Sequence, residues 1–459
     1  MNLNKQVVVD VILSKDQMQM KKLGDIVELV NGDRGKCYPN DLEQTPEGYC
    51  LFLSTKNVLK GHFNFSDARF ITKEKHEALS GGTLKRGDIV LTIRGTLGNL
   101  AFYDEQVPFS VVRINSAMII VRPKHDANPH FIMWALQSPL FTRYIEESSR
   151  GSAQPHLRTA DIREMLIPVP PPAEQRRIVA RLDALLGHLA LARAELARVP
   201  RLAERNRQAV LAAAFSGELT REWRENNPVS YLNTETDQLS NSRIKRRRAT
   251  VSQEAFAPPY QIPPQWKWTS LPTLGILDRG RSRHRPRNDK KLYGGPYPFI
   301  QTGDIKAAKG HLTSYSQTYS EDGLAQSRLW PKGTLCITIA ANIAETAILG
   351  IDACFPDSIV GFTADEALCI PLFIEFFIRT IKSDLATFAP ATAQKNINLE
   401  TLSAVQIPYP PLPEQREIVR RIEMALARIG RAEAEAARAA ALLERLEQET
   451  LARAFRGEL

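Results

Sequence analysis

The chain is poor in the patterns that mark secreted, membrane-bound and metal-dependent proteins. Its five cysteines (Cys37, Cys50, Cys336, Cys354 and Cys369) are odd in number and contain no Cys-x-x-Cys pair. That argues against a disulfide frame or a thiolate zinc site and for reduced thiols in a cytosol. The eight histidines are scattered without metal-ligand spacing. No apolar run approaches the roughly 18–20 residues that span a bilayer. The short run Val7 to Leu13 is broken by Asp10 and has no cleavage site after it. A cytoplasmic protein without a membrane partner is expected. Also missing are a Gly-x-x-x-x-Gly-Lys-Ser/Thr phosphate loop, a His-Glu-x-x-His helix and a Gly-x-Ser-x-Gly elbow. Gly32-Asp33-Arg34-Gly35-Lys36 lacks the spacing and the hydroxyl of a phosphate loop and reads as a turn.

What is present begins with ordinary globular proportions, 43% hydrophobic and 24% charged residues. A length of 459 residues allows two or three domains, and a net charge of +9 leans towards a polyanionic partner. The strongest feature is a repeat. Ile167 to Leu219 opens IPVPPPAEQRRIV and closes AFSGEL, while Ile407 to Leu459 opens IPYPPLPEQREIV and closes AFRGEL; 27 of the 53 positions are identical. A repeat of this length and period is a duplicated half-protein, not a solenoid unit. In each copy the prolines set an extended lead into a helix whose first turn carries Glu174 or Glu414. Apolar or small residues then alternate at spacings of four and three: Ile178, Leu182, Leu185, Leu189, Ala192, Leu196, Val199 and Ala203 in the first copy, and Ile418, Ile422, Ala425, Ile429, Ala432, Ala436, Ala439, Leu443 and Leu446 in the second. This spacing predicts a coiled-coil seam. Pro200 should kink the first helix, where the second has Ala440, and Gly217 should stop it.

The rest of the chain is mixed. Short β-like runs (Asp25–Val30, Asp88–Ile93, Ala117–Arg122) separated by Gly-rich turns precede a helical run from Pro129 to Ser148. The expected organisation is an N-terminal tail (1–20), a first domain (21–166), a central helical region (167–222), a linker (223–262), a second domain (263–406) and a distal helical region (407–459). The fold class is α+β: two α+β domains, each followed by a long helix, with the two helices packed as an antiparallel coiled coil about an internal pseudo-two-fold. The two domains share a faint skeleton. Ser54–Val58 aligns with Gln301–Ile305, Lys60-Gly61-His62 with Lys309-Gly310-His311, Gly87–Ile93 with Gly333–Ile339, and Ala153-Gln154 with Ala393-Gln394. The helices stayed alike while the domains diverged, as suits one scaffold presenting two different readers to an asymmetric target. Each helix of about 42 residues would be roughly 63 Å long, enough to set a separation of the order of one DNA turn.

Several phrases resemble the specificity subunits of type I restriction–modification systems: IPVPPPAEQRRIV, AFSGELTREWR, Gly151-Ser152-Ala153-Gln154-Pro155-His156-Leu157, Pro263-Pro264-Gln265-Trp266-Lys267-Trp268 and Gly87-Asp88-Ile89-Val90. The resemblance covers nearly the whole chain. It implies two target-recognition domains, each reading half of a bipartite site in double-stranded DNA. It implies assembly with two methyltransferase subunits, which methylate adenine N6 with S-adenosylmethionine after flipping the base, and with restriction subunits that use ATP and magnesium. No cofactor is expected in this chain. An Asn/Asp-Pro-Pro-aromatic motif for a target amine is approached only by Ala257-Pro258-Pro259-Tyr260, which lacks the polar first residue and reads as a linker spacer.

Candidate DNA contacts follow from residue type. Arg281, Arg283, Arg285, Arg287, Lys290 and Lys291 crowd the first loop of the second domain and would bind phosphate or form a solvated charge run; the corresponding loop of the first domain offers Arg34 and Lys36. The loop after the matched strand reads Arg94-Gly95-Thr96 in one domain and Ala340-Ala341-Asn342 in the other. Arginine pairs with guanine and asparagine with adenine, so Arg94, Thr96 and Asn342 are base-reading candidates, the alternative being a structural turn. Thr55, Lys56, Asn57, Thr302 and Asp304, from the aligned segments, and Arg113 complete the set. Gln154 and Gln394 precede each helix in matching positions and either contact DNA or tie the domain to its helix. The cluster Arg243 to Arg248 reads as solvated linker in preference to a phosphate-binding arm. Glu174, Gln175, Arg176, Glu414, Gln415 and Arg416 are candidate docking residues for the methyltransferase. Two rival readings stand beside the specificity subunit: a stand-alone sequence-specific regulator built as a fused pseudo-dimer, and a coiled-coil adaptor without DNA.

Overall fold

The computed structural model describes residues 18–149, 156–228, 259–284, 286–308, 310–340, 342–382, 385 and 397–459. It divides into two compact units, Met1–Ala197 with Ala436–Leu459, and Arg198–Glu435. Among the described residues no helix is long and apolar enough to cross a membrane.

The first unit is built on an antiparallel four-stranded sheet in the order Val27–Asn31, Met118–Pro123, Asp88–Thr92, Leu100–Tyr103. Its central strands are apolar on both faces because both faces are covered. Ile89, Leu91, Ile119 and Val121 pack on the helix Pro129–Gln137 side, while Val90, Ile120, Met118 and Ala101 pack with residues of a small sheet formed by Phe70–Ile71, Cys50–Leu53 and Val112–Ile114. The period-two alternation of a strand assigns each residue to one of the two cores. The expected helix from Pro129 to Ser148 is two helices, Pro129–Gln137 and Pro139–Ser149. Pro139 has no N–H to continue the ladder, so the chain restarts there.

The second unit repeats the framework: Gly275–Arg279, Ile359–Ala364, Leu335–Thr338 and Thr346–Leu349 in the same order, then Gly310–Leu312 added in parallel at the edge. At the corresponding edge of the first unit there is a single parallel bridge, Lys60 to Leu100. In both units the segment that opens the domain pairs antiparallel with the segment that closes it, Gln19–Lys22 with Leu166–Val169 and Lys267–Ser270 with Gln406–Tyr409. Each domain therefore delivers its chain directly into a long helix.

The first of these helices breaks where Pro200 predicts, into Pro172–Leu196 and Val199–Phe215, while Leu412–Phe455 runs unbroken for 44 residues. Gly217 and Gly457 end the two copies with φ of +82° and +76°, a conformation glycine adopts without cost. Within the first unit Arg177 donates to the Leu459 carbonyl and Arg193 pairs with Glu447; within the second, Arg207 pairs with Glu433 and Arg421 donates to the Leu219 carbonyl. One partner's number rises as the other's falls, so the helices are antiparallel in each unit. Of the predicted seam residues, Ile178, Leu182, Ala203, Ile418 and Ile422 are buried, while Leu185, Ala192, Ala432 and Leu446 are exposed. Leu186 is buried in place of Leu185 because Ile178, Leu182 and Leu186 join the domain core, which a four-residue stripe faces. Near Ala432 the inward position belongs to Glu433, paired with Arg207.

Candidate nucleic-acid interface

The loop after the central strand is built alike in both units. In the first, Thr92 Oγ1 donates to the Thr96 carbonyl and accepts the Asn99 N–H at 2.9 Å. In the second, Thr338 Oγ1 donates to the Asn342 carbonyl and accepts the Glu345 N–H at 3.0 Å. The backbone returns through the left-handed region at Gly98 (φ +79°) and at Ala344 (φ +57°), each donating its N–H to the carbonyl of the latch threonine at 3.0 and 2.9 Å. An alanine there carries a steric cost of about 1–2 kcal/mol that glycine avoids. The loop is further tied to the segment ahead of the long helix: Leu157 donates to the Ile93 carbonyl, and Ile397 to the Ile339 carbonyl. Thr96 and Asn342 thus occupy the same place on one scaffold. Arg94 and Thr96 are exposed and Asn342 is half-buried.

Three candidates are occupied elsewhere. Asn57 is buried at 2% exposure; its Oδ1 accepts the Ser54 N–H at 2.8 Å and its Nδ2 donates to the carbonyls of Asn64 and Asp67. Asp304, aligned with it, accepts the Gln301 N–H at 2.8 Å. Both are caps of a short turn, a local backbone role that Asn and Asp side chains favour. Arg113 is 3% exposed, and its guanidinium donates to the carbonyls of His76, Leu79 and Gly81. Asn57 and Arg113 are buried and turned to the fold, while Asp304 is half-buried. Thr55 and Thr302 are half-buried beside the caps, and Lys56 is exposed.

The basic residues of the first loops do lie on the surface. Arg34 and Lys36 are exposed, with Arg34 reaching the Ser116 carbonyl at 3.3 Å. Arg281, Arg283, Arg287 and Lys290 are exposed in the second unit; Arg287 Nη2 donates to both carboxylate oxygens of Asp357, at 2.9 and 3.0 Å. Arg285 lies outside the described residues, as do Gln154, Gln394 and the cluster Arg243 to Arg248. Sequence reasoning overlooked Arg279, which donates to the Asp357 carbonyl at 2.6 Å and extends the exposed basic surface. Its signal, one more arginine at the end of the preceding strand, was legible. Asp33 sits in the first basic loop with its carboxyl held down at about 2 by the N–H groups of Gly35 and Ser80, so it is an anion at any working pH.

The residues of the repeated Glu-Gln-Arg motif divide. Gln175 is buried: its Oε1 accepts the Asn128 N–H at 2.9 Å and its Nε2 donates to the Pro170 carbonyl at 2.9 Å. Gln415 does the same with the Ile370 N–H at 3.1 Å and the carbonyls of Pro410 and Leu368. These glutamines tie each domain to its helix. Glu414, with no exposure, accepts from Thr220 at 2.7 Å, Trp266 Nε1 at 2.8 Å and Arg224 at 2.9 Å. The expected docking role of Gln175, Glu414 and Gln415 is therefore corrected: their polar atoms are consumed inside the chain. Arg176 and Arg416 are exposed and Glu174 is half-exposed.

All five cysteines are free, and burial pushes the thiols of Cys50 and Cys354 up to about 11. Among the described residues no cluster of three or more His, Cys, Asp or Glu could hold a metal ion.

Comparison with known proteins assigns this architecture. A family model described as the type I restriction modification DNA specificity domain matches residues 15–201 and 268–433. The type I restriction enzyme EcoDI specificity subunit of Escherichia coli is 30% identical over 340 residues, covering 72% of this chain and 70% of that protein. The EcoKI specificity subunit of E. coli strain K12 is 24% identical over 447 residues, 93% of this chain and 86% of that protein. Among solved structures, a chain from a type I R-M system studied for its assembly and conformational transition has a TM-score of 0.68 at 21% identity, covering 97% of this chain and 99% of that one. The HsdS subunit of Thermoanaerobacter tengcongensis gives 0.61 at 20% identity, covering 97% and 98%. With two matched copies of the specificity domain, one in each half, this chain belongs to the family of type I restriction–modification DNA specificity subunits.

Proposed function

We propose that the chain is the DNA-reading subunit of a methylating and restricting complex, with each globular domain reading one half of an asymmetric bipartite site. One observation carries the reading. The two central-strand loops are built by the same threonine latch but display different residues, Arg94-Gly95-Thr96 in one and Ala340 and Asn342 in the other. A loop whose frame is kept and whose displayed residues differ suits two readers of unlike sequences. Lys56 and Thr55 in the first unit and Thr302 in the second border the caps and complete the proposed contact set. Arg34, Lys36, Arg281, Arg283, Arg287 and Lys290 supply phosphate contacts that position the readers. The long helices set the spacer between half-sites. The exposed Arg176 and Arg416, with Glu174, offer docking points for two copies of an adenine-N6 methyltransferase that brings S-adenosylmethionine, while restriction subunits bring ATP and magnesium. A stand-alone regulator is disfavoured by the family membership.

The test is co-expression with the methyltransferase of the same system, followed by single-molecule methylation sequencing. An asymmetric two-part motif is expected, and Arg94→Ala should relax only one of its halves. Absence of any modified motif, or an Arg94→Ala profile identical to wild type, would refute the reading at those two levels.

A further inference from the structure

The basic loops are held by a second device, and it too occurs in both units. In the second unit Gln326 Oε1 accepts the backbone N–H of Arg283 at 2.6 Å and of His284 at 3.1 Å. The orientation of that amide is fixed, because Nε2 in its place would meet two donors. The next residue, Ser327, donates to the Arg281 carbonyl at 2.8 Å, and the Arg281 N–H donates to the Phe355 carbonyl at 3.1 Å. Tyr293 closes the far end by donating to the Arg287 carbonyl at 2.6 Å. In the first unit Asp33, inside the loop, accepts the N–H of Ser80 at 2.7 Å and its hydroxyl at 3.0 Å, while its other oxygen takes the Gly35 N–H at 2.8 Å. Ser80 stands seven residues before Gly87 and Gln326 seven before Gly333. Those glycines occupy the same turn, with φ of +92° and +88° and N–H groups donating across the sheet to the carbonyls of Tyr103 and Leu349 at 2.9 and 2.8 Å. The same scaffold position therefore clamps the first loop in each unit, with donor and acceptor exchanged.

We propose that Gln326, and Ser80 with Asp33, are positioning residues for DNA binding: they fix the loops that carry Arg281, Arg283 and Arg287 in one unit and Arg34 and Lys36 in the other. This rests on the reading that these loops face DNA. An arginine–phosphate pair contributes its full strength only if the arginine does not have to be ordered on binding, because immobilising a rotamer-rich side chain on a loose loop is set against the attraction. Anchoring two successive backbone N–H groups removes the loop's share of that cost beforehand and leaves Arg281, Arg283 and Arg287 exposed. The first unit gives the sharper distinction. Asp33 is an anion within a basic loop, so on charge alone its removal strengthens binding to a polyanion. As a clamp, its removal weakens it.

The experiment is titration of mixed-sequence duplex DNA with the full chain, by fluorescence anisotropy over a salt series, for wild type, Gln326→Met, Asp33→Ala and the triple variant Arg281→Ala/Arg283→Ala/Arg287→Ala. Gln326→Met should weaken binding about 3- to 10-fold at fixed salt and reduce the slope of log affinity against log salt by about 0.9 for each phosphate no longer neutralised. A variant that merely contained less active protein would keep the wild-type slope. In the triple-arginine background Gln326→Met should do nothing further, the signature of a residue acting through its neighbours. Asp33→Ala should also weaken binding, which keeps the proposal testable if Gln326→Met fails to fold. An unchanged slope for Gln326→Met, full additivity with the arginines, or tighter binding by Asp33→Ala overturns the clamp while the triple variant still shows that the loop engages DNA. A triple variant with wild-type slope overturns the DNA-facing reading itself, and the clamp with it.

Discussion

The same glutamate of the same repeated motif should carry very different weight in the two halves. Glu414 has no exposure, and its carboxylate accepts from Thr220, Trp266 and the 11%-exposed guanidinium of Arg224. This carboxylate joins three separate stretches: the end of the first long helix, the start of the second domain and the start of the distal helix. Replacing Arg224 with Met removes a close countercharge from a buried anion, a change that costs about 3–5 kcal/mol. In a unit of this size each kcal/mol lowers the midpoint by about 2–4 °C, so the transition of the second unit should fall by roughly 10 °C. Glu174, at the matching position, pairs with Arg177 where their side chains are 31% and 50% exposed. Arg177→Met should therefore shift the transition far less, because an exposed pair is screened by solvent. Differential scanning calorimetry of the full chain would resolve the two. A drop for Arg224→Met no larger than that for Arg177→Met would refute the argument that burial, and not the motif, sets the cost.

Other perturbations separate scaffold from reader. Gln415→Leu strips partners from the Ile370 N–H and from the carbonyls of Leu368 and Pro410; chemical denaturation should show a loss of about 2–4 kcal/mol, with a smaller loss for Gln175→Leu, which bonds fewer groups. Thr338→Val deletes the latch of the second central-strand loop at about 1–2 kcal/mol, and on the proposed reading methylation profiling should show relaxed sequence preference in one half-site with the other intact. Glu375, buried in the second unit against Thr346 at 2.8 Å and Arg379 at 2.6 Å, has its carboxyl pushed above the ordinary 4.5 by burial. The folded state then holds its proton more tightly than the unfolded chain, so stability falls as pH rises through the window above 4.5. Glu375→Gln should flatten that part of the pH–stability curve, and an unchanged curve would count against the burial argument.

The elements that sequence reveals are those set by periodicity and by proline and glycine. The Asp88–Thr92 strand, the break ahead of Pro200, the stops at Gly217 and Gly457 and the alignment of the two domains through Gly87 and Gly333 are local consequences of local residues. The seam was legible only in part. Choosing Leu186 over Leu185 depends on where the domain core sits, and the inward place of Glu433 depends on Arg207, a residue of the other helix. The site shows the same limit. Asn57 and Arg113 are chemically good DNA contacts in the wrong places, because a polar side chain that caps a turn or collects buried carbonyls looks identical in sequence to one that waits for a ligand. Exposure decides between them, and exposure is a tertiary property.

The bonds that repeat between the halves also explain how the domains could diverge so far. Thr92 and Thr338 bond to the backbones of residues 96 and 99 and of residues 342 and 345; Gln175 and Gln415 bond to the backbones at 128 and 370. A side chain that addresses backbone atoms places no demand on the identity of its partner. Thr96 can stand where the other half has Asn342, Asn99 where it has Glu345, and Asn128 where it has Ile370, and the bond is kept. Only the latch residue must stay. Where an interaction instead runs side chain to side chain, as Glu414 with Trp266 and Arg224, several positions are constrained together. Recognition surfaces are then free to change wherever the frame is held through backbone atoms. This predicts that exchanging residues 94–97 for 340–343 within one frame should leave stability nearly unchanged while altering the DNA sequence read, whereas exchanging Thr92 or Gln175 for an apolar residue should lower stability by the cost of the hydrogen bonds lost.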